Sequence, residues 1–262
     1  MEVERYEPGV PCWVDLGTGD IPKGAEFYSS LFGWKVELGG EEVGGYSIAS
    51  LGDRPVAGLG PQMNPGRPYW NSYVSVDSAD DAVAKAKANG GTVIMEPMDV
   101  MDAGRMAIFA DPLGAVISVW QPNTMIGCGI VNEPNSYSWS ELVTTDIEKS
   151  KQFYGAVFGW GSQTHGEGGP MAYTEWKIGE RSVGGMMLKP PMMPAEVPPH
   201  WGVYFSVDGT EAAMDKVKEL GGQIVMGPMD VEPGKIAVVA DPQGAVFNLI
   251  TLSEQRAKEA NS

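Results

Sequence analysis

The sequence predicts an α+β protein built from two homologous halves, and three observations carry that prediction. The first is an internal repeat. Trp13-Val14-Asp15-Leu16 returns as Trp139-Ser140-Glu141-Leu142, and at the same offset Phe27-Tyr28-Ser29-Ser30-Leu31-Phe32-Gly33-Trp34 returns as Phe153-Tyr154-Gly155-Ala156-Val157-Phe158-Gly159-Trp160. Farther along, Gly90-Gly91 through Pro97-Met98-Asp99-Val100 reappears as Gly221-Gly222 through Pro228-Met229-Asp230-Val231, and Ala110-Asp111-Pro112-Leu113-Gly114-Ala115-Val116 as Ala240-Asp241-Pro242-Gln243-Gly244-Ala245-Val246. Chance does not readily give four collinear matches of this length. The second observation is local patterning, which alternates short β-leaning runs with two helical segments per half. The third is composition: 35 Gly and 20 Pro in 262 residues imply many turns and no long helices, while 43% hydrophobic and 20% charged residues are ordinary for a globular chain.

Each half reads as strand, helix and three strands, twice over. Val10 to Gly17 is the first strand, and Asp20 caps a helix from Ile21 to Leu31 with Pro22 in its first turn, where a missing N–H costs nothing. Gly33 ends that helix. Ala25, Tyr28, Leu31 and Phe32 recur at helical spacing and are expected to pack on a sheet. Strands are expected near 34–38, 45–51 and 54–60, parted by the Gly39-Gly40 and Gly52-Asp53 turns. The unit then restarts with a strand from Tyr69 to Val76, a helix from Asp80 to Asn89 stopped by Gly90-Gly91, and strands near 92–98, 105–110 and 115–121. Asp111-Pro112-Leu113-Gly114 turns the last hairpin, since Pro presets φ and Gly accepts the turn. The boundaries are therefore a first domain over residues 1–122, a linker over 123–138 and a second domain over 139–262.

The βαβββ units, the FYxxxFGW segment closing the first helix and the DPxGA turn before the last strand resemble the vicinal oxygen chelate superfamily of glyoxalases, bleomycin-resistance proteins and extradiol dioxygenases. The likeness covers nearly the whole chain and is nearest to the two-domain glyoxalase-like proteins common in actinobacteria. It implies that each half folds two βαβββ modules into a cupped mixed sheet with its helices outside. It also implies metal-ligand positions on the first, fifth and eighth strands, where the family places His, Gln or Glu. Counting back from Asp20 and Asp146 puts the first at Trp13 and Trp139; the others fall at Asn71 and Gly202, and at Ser118 and Asn248. Indole offers no ligand lone pair, and the rest include no carboxylate or imidazole. The chain holds only His165 and His200, so two His and one carboxylate for Fe(II) do not assemble within either half. No metal and no other cofactor is expected, although Asp15 and Glu141 share the strand face of the tryptophans as single alternative donors.

By strand parity Trp13, Asp15, Asn71, Tyr73, Ser118 and Trp120 face the first cavity, and Trp139, Glu141, His200, Tyr204 and Asn248 face the second. Two readings stay open for the aromatic residues: walls that stack a planar ligand, or side chains filling the space left by lost ligands. Asp15, Glu141 and His200 are the catalytic candidates. Burial would tune the carboxyls as general bases, and His200 is a candidate acid or base, but each equally suits a structural role. His165, among glycines, is expected in an exposed loop. The methionine- and proline-rich run from Met186 to Pro194 is either a lid adaptable to bulky apolar ligands or a patch packed on the neighbouring half, with Pro61 to Pro68 as its first-half counterpart.

A net charge of −16 opposes phosphate backbones and anionic lipid, so nucleic acid is excluded as a partner and a neutral or cationic small molecule is favoured. Cys12 and Cys128 show no metal or disulfide spacing and read as buried small hydrophobes. No apolar run spans a membrane and no basic-then-apolar leader opens the chain, which makes the cytoplasm the expected compartment and a monomer the expected state, since the tandem halves supply their own pairing. Nothing orders a Ser–His–Asp or Cys–His nucleophile, and no GxGxxG follows a strand. Three functions follow: a metal-independent protein binding a bulky aromatic or cationic compound; a lyase, isomerase or hydroxylase-like enzyme of secondary metabolism using a cavity acid or base; and, last, a metal-dependent glyoxalase or dioxygenase.

Overall fold

The capping expectations hold in detail at the first helix of each half. Asp20 accepts the backbone N–H of Lys23 and Asp146 that of Lys149, while Gly33 and Gly159 close the helices at φ 73°, a left-handed conformation that costs glycine nothing. The computed structural model describes residues 1–63, 66–167, 169 and 172–253. Its first half runs β1 (Pro11–Thr18), α1 (Ile21–Phe32), β2 (Lys35–Glu37), β3 (Ser47–Leu51), β4 (Arg54–Pro61), β5 (Tyr69–Ser75), α2 (Ala79–Ala88), β6 (Thr92–Val100), β7 (Gly104–Ala110) and β8 (Val116–Pro122). The second repeats it as β9 (Tyr137–Thr144), α3 (Ile147–Phe158), β10 (Gly161–His165), β11 (Tyr173–Ile178), β12 (Arg181–Leu188), β13 (His200–Ser206), α4 (Thr210–Glu219), β14 (Gln223–Val231), β15 (Gly234–Ala240) and β16 (Val246–Leu252). No described helix is long and apolar enough to cross a membrane.

Each half is one eight-stranded mixed sheet, ordered β2-β3-β4-β1-β5-β8-β7-β6 and β10-β11-β12-β9-β13-β16-β15-β14. Within a module the first strand runs parallel to the last, β1 to β4 and β5 to β8, and the two modules join through the antiparallel pair β1 and β5. The second half does the same through β9 and β13. Alternation sends Cys12, Val14 and Leu16 of β1 into the core on one face and Trp13 and Asp15 to the other.

The core lies between the halves. Ser72 on β5 and Ser140 on β9 meet at 2.8 Å, α2 packs on α3, and Phe32 and Tyr28 of α1 pack at a tilt against Phe205 and Phe247 of the opposite sheet. The two repeated motifs close this interface reciprocally. Trp70 Nε1 donates to the Tyr28 hydroxyl at 3.0 Å, which donates to Asp241 of the other half at 3.1 Å; Trp201, Tyr154 and Asp111 form the mirror chain at 2.9 and 3.0 Å. The second oxygen of each aspartate ties its own turn, Asp111 through the N–H groups of Leu113 and Ala115 and Asp241 through those of Gln243 and Ala245. A buried carboxylate so saturated is stable in an apolar interface, whereas an unpaired one would not be.

Three expectations are revised, and the burial of the two cysteines holds. Helix α2 begins at Ala79, one residue before the expected Asp80, because Ser78 is the cap and accepts the Asp81 N–H. His165 ends strand β10, where pairing with Tyr173 overrides its glycine-rich surroundings. Met186 and Met187 belong to β12, with Met186 fully buried, so the loop proper starts at Lys189. Cys12 and Cys128 are both buried and adjacent, the Cys128 N–H donating to the Cys12 carbonyl at 2.8 Å. Asn64 and Pro65 of the expected first-half loop, and the second domain beyond Ser253, lie outside the described residues.

Candidate functional site

The inner face of each sheet carries the same hydrogen-bond relay. In the first half Trp13 Nε1 donates to the Tyr46 hydroxyl at 2.9 Å, Tyr46 donates to Asp15 Oδ2 at 3.1 Å, and Tyr73 donates to the same oxygen at 2.7 Å. In the second, Trp139 Nε1 donates to Tyr173 at 3.0 Å, and Tyr204 donates to Glu141 Oε1 at 2.9 Å with Tyr173 as a further partner. Register explains the convergence: Asp15 lies between Gly58 and Asn71, Glu141 between Gly185 and Gly202. The glycines are required, because a Cβ on Gly58 would sit 1.9 Å from the Tyr46 hydroxyl and one on Gly185 1.8 Å from that of Tyr173.

Burial pushes Asp15 up to about 6, its hydrogen bonds from Tyr73, Tyr46 and Asn71 pulling the other way, and burial likewise raises Glu141 against Tyr204 and Tyr173. All four tyrosines are raised well above their usual range, first by burial and then by the neighbouring carboxylate, so they remain hydroxyl donors. Each relay is thus a carboxyl group with an elevated proton affinity, aimed by two phenols and an indole. Such a group stabilises a bound cation when ionised or transfers a proton when neutral.

The remaining candidates divide. Asn71 Nδ2 donates to Ser118 Oγ at 2.7 Å, joining β5 to β8 beside the first relay, and Trp120 donates to the Met125 carbonyl at 2.8 Å. Asn248 donates to the Val203 carbonyl at 3.2 Å. His200 shares the inner face of the second cup but its Nδ1 lies 2.9 Å from the Pro198 carbonyl; since a carbonyl only accepts, Nδ1 donates this hydrogen bond. No hydrogen bond joins His200 to Glu141, so the two are not a coupled acid–base pair in this state.

Sequence reasoning did not single out Tyr46 and Tyr173. Their signal was present: each opens a Tyr-(Ser/Thr)-x4-Gly segment, Tyr46 to Gly52 and Tyr173 to Gly179, and each precedes its accommodating glycine by the same spacing.

The family positions do not fit a catalytic divalent ion. Trp13, Asn71 and Ser118 supply an indole, an amide and a hydroxyl; Trp139, Gly202 and Asn248 supply an indole, nothing and an amide. Among the described residues no three His, Cys, Asp or Glu side chains gather in metal-binding geometry.

The cups differ in access. An open cavity of about 3280 Å³ is lined by Trp139, Glu141, Tyr173, Tyr204 and Asn248 of the second cup, together with His200 and the Lys189 to Pro194 loop. From the first sheet it takes Tyr69, Trp70, Asn71, Ile94, Ile108 and Val116, and none of Trp13, Asp15, Tyr46, Tyr73 or Trp120.

The profile of the Glyoxalase/Bleomycin resistance protein/Dioxygenase superfamily matches residues 12–119 and 136–249, one match per half. The chain is 40% identical to the "Putative glyoxylase CFP32" of Mycobacterium tuberculosis, covering 96% of this chain and 98% of that protein. It is 36% identical to the "Anthracycline biosynthesis protein DnrV" of Streptomyces peucetius, covering 95% and 96%. Among solved structures, the Mn(II)-bound glyoxalase from Novosphingobium aromaticivorans superposes with a TM-score of 0.65 at 18% identity, over 93% of this chain and 82% of that one. The 2,3-dioxygenase LapB from Pseudomonas sp. KL28 gives 0.65 at 16% identity, over 93% of each. At these identities the structures speak for the fold alone.

Proposed function

We propose that this chain, which belongs to the Glyoxalase/Bleomycin resistance protein/Dioxygenase superfamily, binds a planar aromatic small molecule in its second cup without a metal ion. The observation that carries this reading is that the cavity reaches every member of the second relay and none of Trp13, Asp15, Tyr46 or Tyr73 of the first, touching only Asn71 beside them. Trp139 and Tyr173 are half-buried and line that space; Met187, Met226, Ile236 and Val238 form its apolar walls. The Lys189 to Pro194 loop borders it, with Met192 79% exposed and ready to cover an apolar guest. The acidic Glu141 at the floor and the net charge of −16 favour a neutral or cationic ligand. A relative named for anthracycline biosynthesis is in keeping with a polycyclic aromatic one.

Titration with a planar tricyclic quinone tests the reading. Tryptophan fluorescence should quench saturably, Trp139→Phe should weaken binding about tenfold, roughly 1.4 kcal/mol, and Trp13→Phe should leave it unchanged. Absence of saturable binding, or equal sensitivity to both substitutions, contradicts it. Mass spectrometry of the recovered ligand separates the second reading, an acid–base enzyme of the lyase, isomerase or hydroxylase-like kind. Burial of Glu141 between two phenols favours that reading, and it requires ligand turnover that Glu141→Gln abolishes.

A further inference from the structure

The wing of the second cup formed by β10, β11 and β12 carries a polar group that the aromatic relay does not use. Tyr173 and Glu175 lie on one face of β11, since Thr174 and Trp176 between and beside them are buried in the core behind the sheet. Cross-strand pairing puts His165 beside Tyr173 and Gln163 beside Glu175. Lys177 joins the same face, its Nζ 2.8 Å from Glu175 Oε2, and Ser182 on β12 donates to that oxygen at 2.7 Å. The other carboxylate oxygen, Oε1, faces His165 Nε2 at 3.7 Å, longer than a hydrogen bond. Partial burial alone would raise Glu175, but Lys177, Ser182 and His165 hold it below the usual glutamate range. All five side chains border the same cavity as Trp139 and Tyr173.

We infer that this wing is a specificity subsite for a hydroxyl-rich substituent, such as a glycosyl group, carried by the aromatic ligand of the second cup. The inference rests on the aromatic-binding reading above and adds which ligands that cup prefers. Three features lead to it. Spacing is right: residues two apart on a strand face are about 7 Å apart, so Glu175 lies one substituent's reach from the Tyr173 ring. Charge is balanced, because Lys177 already neutralises Glu175, so a charged appendage gains little net attraction, whereas hydroxyls that both donate and accept match a carboxylate oxygen, an imidazole and the Gln163 amide. The group is also specific to the half whose cup is open. Ile48, on the first sheet's β3 opposite Gly58, stands where Glu175 stands opposite Gly185.

The test compares a hydroxyanthraquinone with its O-glucoside by fluorescence titration against wild type, Glu175→Gln, Glu175→Ile and His165→Ala. Wild type should bind the glucoside about tenfold more tightly than the aglycone. The Glu175 variants should erase that preference and His165→Ala should reduce it, all leaving the aglycone's dissociation constant unchanged. Equal affinity of wild type for the two compounds, or a preference that survives both Glu175 substitutions, overturns the subsite while leaving the aromatic-binding reading intact. Failure of both compounds to bind overturns both. Binding of the glucoside alone, lost in Glu175→Gln, supports the wing and contradicts the aromatic floor.

Discussion

Two cups in one chain share a relay and differ in what surrounds it. Strand register pairs their inner residues one to one: Met106 and Trp120 in the first correspond to Ile236 and Ile250 in the second, and Ile108 and Ser118 to Val238 and Asn248. Asn71 opposite Asp15 becomes Gly202 opposite Glu141. Three of these changes remove bulk from the second cup, and the loss of the Trp120 indole is the largest. In the first half the indole is 6% exposed and tied to the Met125 carbonyl, so it fills the hollow as core. The lesson is that one duplicated framework of Trp, Tyr and carboxyl side chains is packed over in the first copy and left open to a cavity in the second.

The largest expected effect separates the two tryptophans. Trp13 is 4% exposed and Trp139 half-buried, so Trp13→Ala should cost about 3–5 kcal/mol in urea unfolding as a core truncation, and Trp139→Ala less than half of that. Equal losses would mean that both cups are core, and the comparison would fail.

A smaller effect comes from the first carboxyl. The fold holds Asp15 near 6 against an ordinary 3.8, so the neutral form is favoured in the native state. Its contribution to stability is therefore fully present below about pH 4 and is lost as pH rises through 6, a change of about 3 kcal/mol. Asp15→Asn should match wild type at pH 4 and exceed it at pH 8 by up to that amount, read from urea midpoints across the range. Glu141→Gln should show the same sign, as burial raises that group too. A variant less stable than wild type at pH 8 would show that the ionised carboxylate is favoured inside the cup.

The smallest effect on stability sharpens the comparison from the ligand's side. Gly202→Asn installs the first half's side chain in the second cup, where a Cβ would lie 3.0 Å from Asn248 Nδ2. It should change unfolding by about 1 kcal/mol or less yet reduce aromatic-ligand affinity about tenfold. Unaltered affinity would place the ligand elsewhere.

The duplicated α+β architecture was legible because repeats, caps and glycine turns are local signals that tertiary packing rarely reverses. Strand parity also put Trp13, Asp15, Asn71, Tyr73 and Ser118 on one face, since a period of two leaves no choice once the core side is known. Tyr46 and Tyr173 escaped because their contact with the carboxyls depends on a neighbouring strand bearing glycine, a cross-strand property. The roles of Tyr28, Tyr154, Asp111 and Asp241 were hidden for a similar reason: the motifs looked like helix and turn signals, and their partners lie in the opposite half. His165 is exposed as expected but lies in a strand: glycine neighbours suggest a loop, whereas pairing to β11 decides its conformation.

A crystal structure of the complex with a planar aromatic ligand tests the central claim most directly. One ligand per chain should lie in the second cup against the Trp139 and Tyr173 rings and above Glu141, with Trp120 still filling the first. Ligand lodged in the first cup, or a divalent cation gripped by inward-facing side chains of either sheet, would contradict the account.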